Sequence, residues 1–166
     1  MNIFFLSIIP KICAQMHVDK HVVKMILETT QLLCSAHYLF PNGFTPCYKL
    51  THKNHPSAIW VRTSKPNYEW LCMLGKELCI EYTYRYGKIH KCESYILDLS
   101  NNIPNLPDIG FSTPLQAMPN EYKDNDAIEA YRSYYFFHKM HIHSWKGKKN
   151  GRPTPEWIID MHNLFI

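Results

Sequence analysis

The fold is decided by the stretch from Lys11 to Tyr38, which reads KICAQMHVDKHVVKMILETTQLLCSAHY. It contains neither glycine nor proline, it follows Pro10, and Pro41 and Gly43 come soon after it. These signals predict one long helix. Apolar residues repeat along one side of it, as in a helix that buries one face. The stretch therefore favours a mainly α fold.

The rest of the chain continues the helical pattern around punctuating prolines and glycines. Pro56 can sit in the first turn of a short helix, and Gly87 is a natural C-terminal cap for a long one. We expect a compact single-domain helical bundle over residues 1–166, with long ordered loops. The expected parts after the first helix are helices at Ser57–Thr63, Lys65–Tyr86, His90–Leu99, Asp124 or Asn125 to Trp145 and Pro155–Ile166, with a strand or extended arm at Asn2–Ile9 and an ordered loop at Asn101–Pro119.

Composition sets limits on partners and compartment. The 166 residues are 46% hydrophobic and carry a net charge of +4, with ten histidines left uncounted. This suits either a polyanionic partner or an ordinary basic protein. The six cysteines show no paired spacing and no signal peptide is apparent, so we expect reduced, mostly buried thiols in an intracellular protein that is not secreted. We expect no membrane partner, because no apolar run approaches spanning length.

A polar stripe runs along the first long helix. His17, His21, Lys24 and Glu28 recur at spacings of four and three, so they share one side. Histidines four apart on a helix can chelate a metal, but no acidic residue completes the zinc-protease spacing. We favour a helix side that faces solvent or DNA.

Three further clusters combine histidines, cations and aromatic residues. Each has a structural alternative: a helix cap for His52 and His55, a dipole contact for residues 81–90, and a solubilising turn for residues 145–152. Contact with an anion or a phosphate is the more specific interpretation of these three clusters. Residues 138–143, which contain three histidines, are a weak candidate for a metal site. The residues expected to bind DNA or position the substrate are Lys20, Lys24, His52, His55, Arg62, Arg85, Lys88, His90, Lys146, Lys148 and Lys149.

The order of these segments resembles a known enzyme family. AlaGlnMetHis lies at 14–17, LysAsnHisPro at 53–56, and a helix closes in an acidic and aromatic segment with an arginine before Gly87. This arrangement is similar to the pyrimidine-dimer DNA glycosylases of the phage endonuclease V type, over roughly the first half of the chain. Most of the chain also resembles uncharacterised phage and large-virus proteins with ThrHisxxHisPro and GluTyrThrxxTyrGlyLysxHis patterns, here at 51–56 and 81–90.

The resemblance to the glycosylases implies a specific chemistry. In that family the chain's own α-amine attacks the deoxyribose C1′, a Schiff base forms, the base leaves, and β-elimination nicks the strand. A glutamate assists and a histidine lies nearby. The family implies no metal and no cofactor, double-stranded DNA as partner, and a host-cell or virion location.

Transferred to this sequence, the resemblance identifies His17 as the family histidine and Met1 as the amine. The family glutamate falls by spacing near Lys24, which cannot take its role, and Glu28 lies one turn further on. We therefore expect an enzyme, a DNA glycosylase and AP lyase acting as a monomer, with Met1, Glu28, His17 and His21 as catalytic residues. Two alternatives stay open. One is a metal-dependent phosphohydrolase or nuclease using His17, His21, His52, His55, His90 and Asp19, and the other is a non-catalytic viral protein that binds nucleic acid or nucleotides.

Overall fold

The predicted long helix is divided in two. A computed structural model describes every residue from Met1 to Ile166 and places α1 at Pro10–Met16 and α2 at Asp19–Leu39. His17 and Val18 between them are extended. The prediction of one continuous helix is therefore wrong, because tertiary partners satisfy the backbone groups that the break releases. Val18 N–H donates to the Tyr135 hydroxyl, and Arg85 donates to the carbonyl of His17.

Five more helices follow, and no strand is present. Their bounds are α3 Pro56–Thr63, α4 Lys65–Tyr86, α5 Glu93–Asn101, α6 Ala127–Lys139 and α7 Glu156–Phe165. Gly87 ends α4 in the left-handed conformation, as predicted. The cap of α6 is Asp126 rather than Asp124 or Asn125, and the helix ends at Lys139, well before Trp145. The mainly α expectation is confirmed.

One hydrophobic core holds the helices together. It joins 32 buried residues, and α4 lies at its centre, packed against α1, α2, α3 and α5. The N-terminal segment forms no strand. It is an extended arm whose residues Ile3 to Leu6 are buried in this core. Burial of these four apolar side chains fixes the first residues of the chain against α2 and α6. None of the seven helices combines the length and the apolar character that a membrane span requires.

Asn101 is the last residue of α5, so the predicted loop begins one residue later; residues 102–119 have no regular secondary structure but are tied to the helices by specific hydrogen bonds. Trp60 Nε1 donates to Ser112 O, Asn67 Oδ1 accepts from Ser112 N, and the Tyr131 hydroxyl donates to Leu115 O. Ala117 O accepts from the Asn2 side chain at 3.0 Å. The end of the loop therefore reaches the start of the chain.

Candidate active site at the N-terminus

The α-amine of Met1 lies on the carboxylate of Glu28. Its nitrogen is 3.2 Å from Glu28 Oε1, and the backbone N–H of Asn2 donates to the same oxygen at 3.1 Å. The Asn2 side chain accepts from Ile3 N–H and donates to Ala117 O, which fixes the backbone at this point. The first two nitrogens of the chain are thus held on one carboxylate oxygen.

Glu28 is buried, with 7% of the residue exposed. A buried carboxylate is costly unless charges or donors compensate it, and the amine supplies this compensation at Oε1. Its other oxygen, Oε2, has no hydrogen-bond partner, and Lys24 Nζ lies 3.7 Å away on the solvent side. One oxygen therefore holds the amine, while the second is buried without a hydrogen bond and has the Lys24 ammonium as its nearby charge.

A small cavity opens beside the amine. Its volume is about 110 Å³. The lining residues are Met1, Asn2, Phe4, His21, Lys24, Met25, Glu28, Tyr134 and Lys139. The cavity gathers an amine, a carboxylate, an imidazole and two lysines, which is a set able to bind and transfer protons.

His21 is held as a neutral hydrogen-bond donor. Its ring stacks on Phe4 at 4.5 Å, and its Nδ1 is 2.8 Å from the Tyr135 hydroxyl. That hydroxyl already accepts from Val18 N–H, and the acceptor at hand for its own proton is His21 Nδ1. This assigns the proton of neutral His21 to Nε2. Burial, together with the charges of His17, Lys139 and Lys24, lowers the pKa of His21 to about 3.

His17 takes a different position from the one expected. It is buried beside His21, with ring centroids 6.5 Å apart, but it does not line the cavity. Its Nδ1–H donates to Cys13 O at 2.7 Å. Burial and, to a smaller extent, the charge of Arg85 lower the pKa of His17 to about 4, although the hydrogen bond to Cys13 O opposes the shift. His17 therefore stabilises the interruption between α1 and α2 and is not part of the cavity.

The expectation that the predicted polar stripe faces solvent or DNA is wrong for three of its members. His17, His21 and Glu28 are buried, and Lys24 is exposed. The reason is that the N-terminal arm folds back over this side of α2. A sequence pattern gives the spacing of such residues, but not which segment covers them.

Lys139 and Tyr134 were missed by sequence reasoning. Both belong to α6 and line the cavity. Lys139 Nζ lies 5.4 Å from the Tyr134 ring centroid and 6.0 Å from that of Phe4. Burial and the charge of Lys24 lower the pKa of Lys139, which Glu28 partly offsets. The nearest sequence signal is the run 138–143, whose three histidines suggest a metal and give no sign of a role for Lys139.

His52 and His55 lie in the segment before α3, and His55 is a helix cap. Its Nδ1 accepts from Ser57 N–H at 3.0 Å, so an anion has only the other ring nitrogen to contact. Burial lowers the pKa of His55; the positive α-amine and His52 add to this, whereas Glu28 opposes it. His55 is therefore within electrostatic range of the cavity. His52 is exposed, and its ring nitrogen pairs with the Thr51 hydroxyl.

Arg62 and His90 make structural contacts. Arg62 donates to the carbonyl of Lys53 at the end of the same loop. His90 is half-buried, packs edge-on to Tyr82, and accepts from Cys92 N–H through Nδ1. Each has some exposed surface, but neither is free of protein partners.

Arg85 is not available to DNA, which corrects its assignment as a phosphate-binding residue. It is fully buried. Its guanidinium donates to the carbonyls of Gln15 and His17 and pairs with Asp19 at 3.1 Å and with Glu81 at 3.4 Å. These contacts join α1, α2 and α4, so Arg85 is a core residue of the fold.

The lysines predicted to bind DNA, apart from Lys24, lie together at one corner of the molecule. The turn 145–152 caps the end of α4, because Lys148 and Lys149 N–H both donate to Arg85 O. The same turn meets the start of α2, where Gly147 N–H donates to Asp19 Oδ2. The contacts bring together five exposed lysines, which we call the basic corner: Lys20, Lys88, Lys146, Lys148 and Lys149.

The histidines do not assemble into a metal centre. No group of three or more His, Cys, Asp or Glu side chains is arranged to hold a metal ion. This includes the six residues named for the metal-dependent alternative and the histidines of the run 138–143.

A scan against family models and searches of curated proteins and of solved structures found no match to this chain.

Proposed function

We propose that this protein is a DNA glycosylase and AP lyase that uses the α-amine of Met1 as its nucleophile. The observation that carries the proposal is the contact of this amine with the buried Glu28 carboxylate at the edge of a cavity. The resemblance of the sequence to the endonuclease V type supports it independently, although Glu28 lies one turn beyond the family position.

The chemistry begins with loss of a proton from the amine, since only the neutral amine is nucleophilic. An α-amine gives up this proton more readily than a lysine side chain. Glu28 is placed to accept it, because Oε1 contacts the amine and Oε2 has no other hydrogen bond. The amine nitrogen then bonds to C1′ of the sugar, and the C1′–N bond to the base breaks with the electron pair leaving on the base.

The next step is formation of an imine at C1′ as the sugar ring opens. Removal of a proton from C2′ then breaks the C3′–O bond and nicks the strand, and water releases the amine. Glu28 is the group placed to move these protons. His21 offers a neutral Nε2–H to the sugar, and Lys24 and Lys139 offset the charge of flanking phosphates.

The basic corner gives the DNA a path to this cavity. Lys20 starts the exposed side of α2, Lys24 is one turn further, and Glu28 follows after another turn. The helix rise places Lys20 and Glu28 about 12 Å apart along the axis, a distance that roughly four successive phosphates of one strand can bridge. A duplex bound at the corner could therefore extend over the amine.

Borohydride trapping on damaged DNA tests the proposal. Purified protein would be incubated with UV-irradiated and undamaged duplexes in EDTA, and sodium borohydride would reduce any imine to a stable adduct. We expect a covalent complex on damaged DNA, with the adduct mapping to the N-terminal peptide.

The matched control is a variant with Gly-Ser added before Met1, which keeps every side chain but moves the amine away from Glu28. We expect it to bind DNA and form no adduct. Absence of any adduct or nicking by the unmodified chain, with salt-sensitive DNA binding intact, would replace this proposal with the non-catalytic alternative. Cleavage that appears only when a divalent cation replaces EDTA would favour the metal-dependent one.

A further inference from the structure

Two thiols far from the amine cavity lie side by side. Cys34 Sγ on α2 is 3.6 Å from Cys47 Sγ in the segment between α2 and α3. Cys34 is buried and Cys47 is exposed, and all six cysteines of the chain are free thiols. This pair joins a buried thiol to an exposed one, whereas the other four cysteines are all buried.

The spacing of the pair is fixed by the backbone on the C-terminal side of Cys47. The Tyr38 hydroxyl of α2 donates to Tyr48 O at 2.9 Å, and Ser35 Oγ donates to Thr51 O at 3.0 Å. These bonds tie the segment to the same turns of α2 that carry Cys34. The two sulfurs therefore stay close while the segment keeps these bonds.

We propose that Cys47 is a thiol-modification site and that Cys34 resolves the modification into an intramolecular disulfide. The co-reactant is a low-molecular-weight disulfide such as oxidised glutathione. The Cys47 thiolate attacks one of its sulfurs, a mixed disulfide forms, and one glutathione leaves as thiolate. The Cys34 thiolate then attacks the Cys47 sulfur and releases the second glutathione. The protein loses two protons and two electrons, and the reagent is reduced to two thiols.

The order of the steps follows from exposure. A small disulfide can reach Cys47 from solvent, whereas Cys34 is covered by the core. Closing the bond requires the sulfurs to approach to about 2.05 Å, which side-chain rotation at the exposed Cys47 can provide. Such pairs in reducing compartments are usually transient and regulatory rather than structural.

The disulfide would fasten the segment that ends at His55. That residue caps α3 and lies within electrostatic range of the amine and Glu28. Oxidation is therefore expected to restrict the motion of this segment and of the residue that caps α3. This inference does not depend on the proposed chemistry, because the disulfide can form whether or not the amine reacts with DNA.

Mass spectrometry of the full chain tests the inference. Reduced protein would be treated with oxidised glutathione, quenched with acid and digested. We expect the mass of the protein to fall by two hydrogen atoms and the digest to contain one peptide pair joined through Cys34 and Cys47. The melting temperature of the oxidised protein should lie several degrees above that of the reduced protein. Dithiothreitol should return it to the value of the reduced protein.

Two variants separate the roles of the pair. Cys34→Ala should keep one glutathione on Cys47, and Cys47→Ser should take neither adduct nor disulfide. Cys72→Ala is the matched control, since Cys72 is a buried thiol on α4, and it should behave as the unmodified chain. A wild-type chain that stays reduced, or that keeps an unresolved adduct on Cys47, would overturn the inference.

Discussion

Glu28 carries the strongest prediction for a single side chain. Glu28→Gln keeps the volume and one oxygen acceptor but removes the charge that faces the Met1 amine. We expect imine trapping to fall by a factor on the order of 100 or more, as for loss of a general base. The measurement is the initial rate of adduct formation on UV-irradiated duplex in single-turnover conditions.

Glu129→Gln is the matched control for this variant. Glu129 is an exposed helix glutamate on α6, so its neutralisation changes the net charge equally without touching the cavity. Its trapping rate should stay at the wild-type value. If Glu28→Gln traps at that rate as well, the carboxylate has no part in the reaction.

The buried histidines predict loss of stability in acid. Burial lowers the pKa of His17 to about 4 and that of His21 to about 3, from 6.5 in an unfolded chain. Between pH 6.5 and 4 the unfolded chain therefore binds more protons, so the free energy of unfolding falls as the pH falls. The loss amounts to at most about 3 kcal/mol for His17. Urea denaturation at about pH 7 and about pH 5 measures it.

A histidine variant measures how much of this pH dependence of unfolding comes from His21. His21→Gln removes one buried imidazole, and the variant should show a weaker pH dependence of unfolding than the wild type. His138→Gln replaces an exposed histidine of α6 and should leave the dependence unchanged. Parallel curves for all three proteins would show that His21 does not titrate on unfolding.

Arg85 decides how α1, α2 and α4 meet. Arg85→Met would leave the carboxylates of Asp19 and Glu81 and two carbonyls without this partner. We expect the free energy of unfolding to drop by about 3–5 kcal/mol, as when one member of a buried ion pair is removed. Arg152 still contacts Glu81, which limits the loss at that end.

Arg62→Met provides the comparison for that change. Arg62 is half-buried and donates a hydrogen bond to Lys53 O. Its loss should cost about 1 kcal/mol. Equal losses for the two variants in urea denaturation would mean that Arg85 is not the central link between these helices.

The helices were predictable where local signals set them. Pro66 and Gly87 lie inside and after α4, and its predicted bounds, Lys65–Tyr86, agree with the structure. The break before α2 was not predictable, because Tyr135 and Arg85, which satisfy its backbone groups, lie far away in sequence. The same limit applies to the cavity. The spacing of His21 and Glu28 in the sequence placed them on one side of a helix. Lys139 lies near them only because α6 packs against this part of the fold, which the sequence spacing does not predict.

The charge distribution gives the prediction for DNA as a partner. The basic corner is exposed at the junction of α2, α4 and the turn 145–152. If each lysine neutralises one phosphate, the logarithm of the binding constant falls with the logarithm of salt concentration by about 0.9 for each contact. Replacing Lys20, Lys88 and Lys148 by alanine should therefore flatten this slope by about 3 units in total.

Fluorescence anisotropy with a labelled duplex over a range of potassium chloride concentrations measures the slope. The control replaces Lys11, Lys65 and Lys123, which are also exposed and lie outside the basic corner. The net charge changes by the same amount, because three lysines are replaced in each variant. A flattened slope for the first variant and an unchanged one for the control would locate the duplex at the corner, on the side of α2 that leads to the amine. Equal changes in the two variants would mean that binding follows net charge alone, and the path from the corner to Glu28 would then lose its support even if trapping at the amine succeeds.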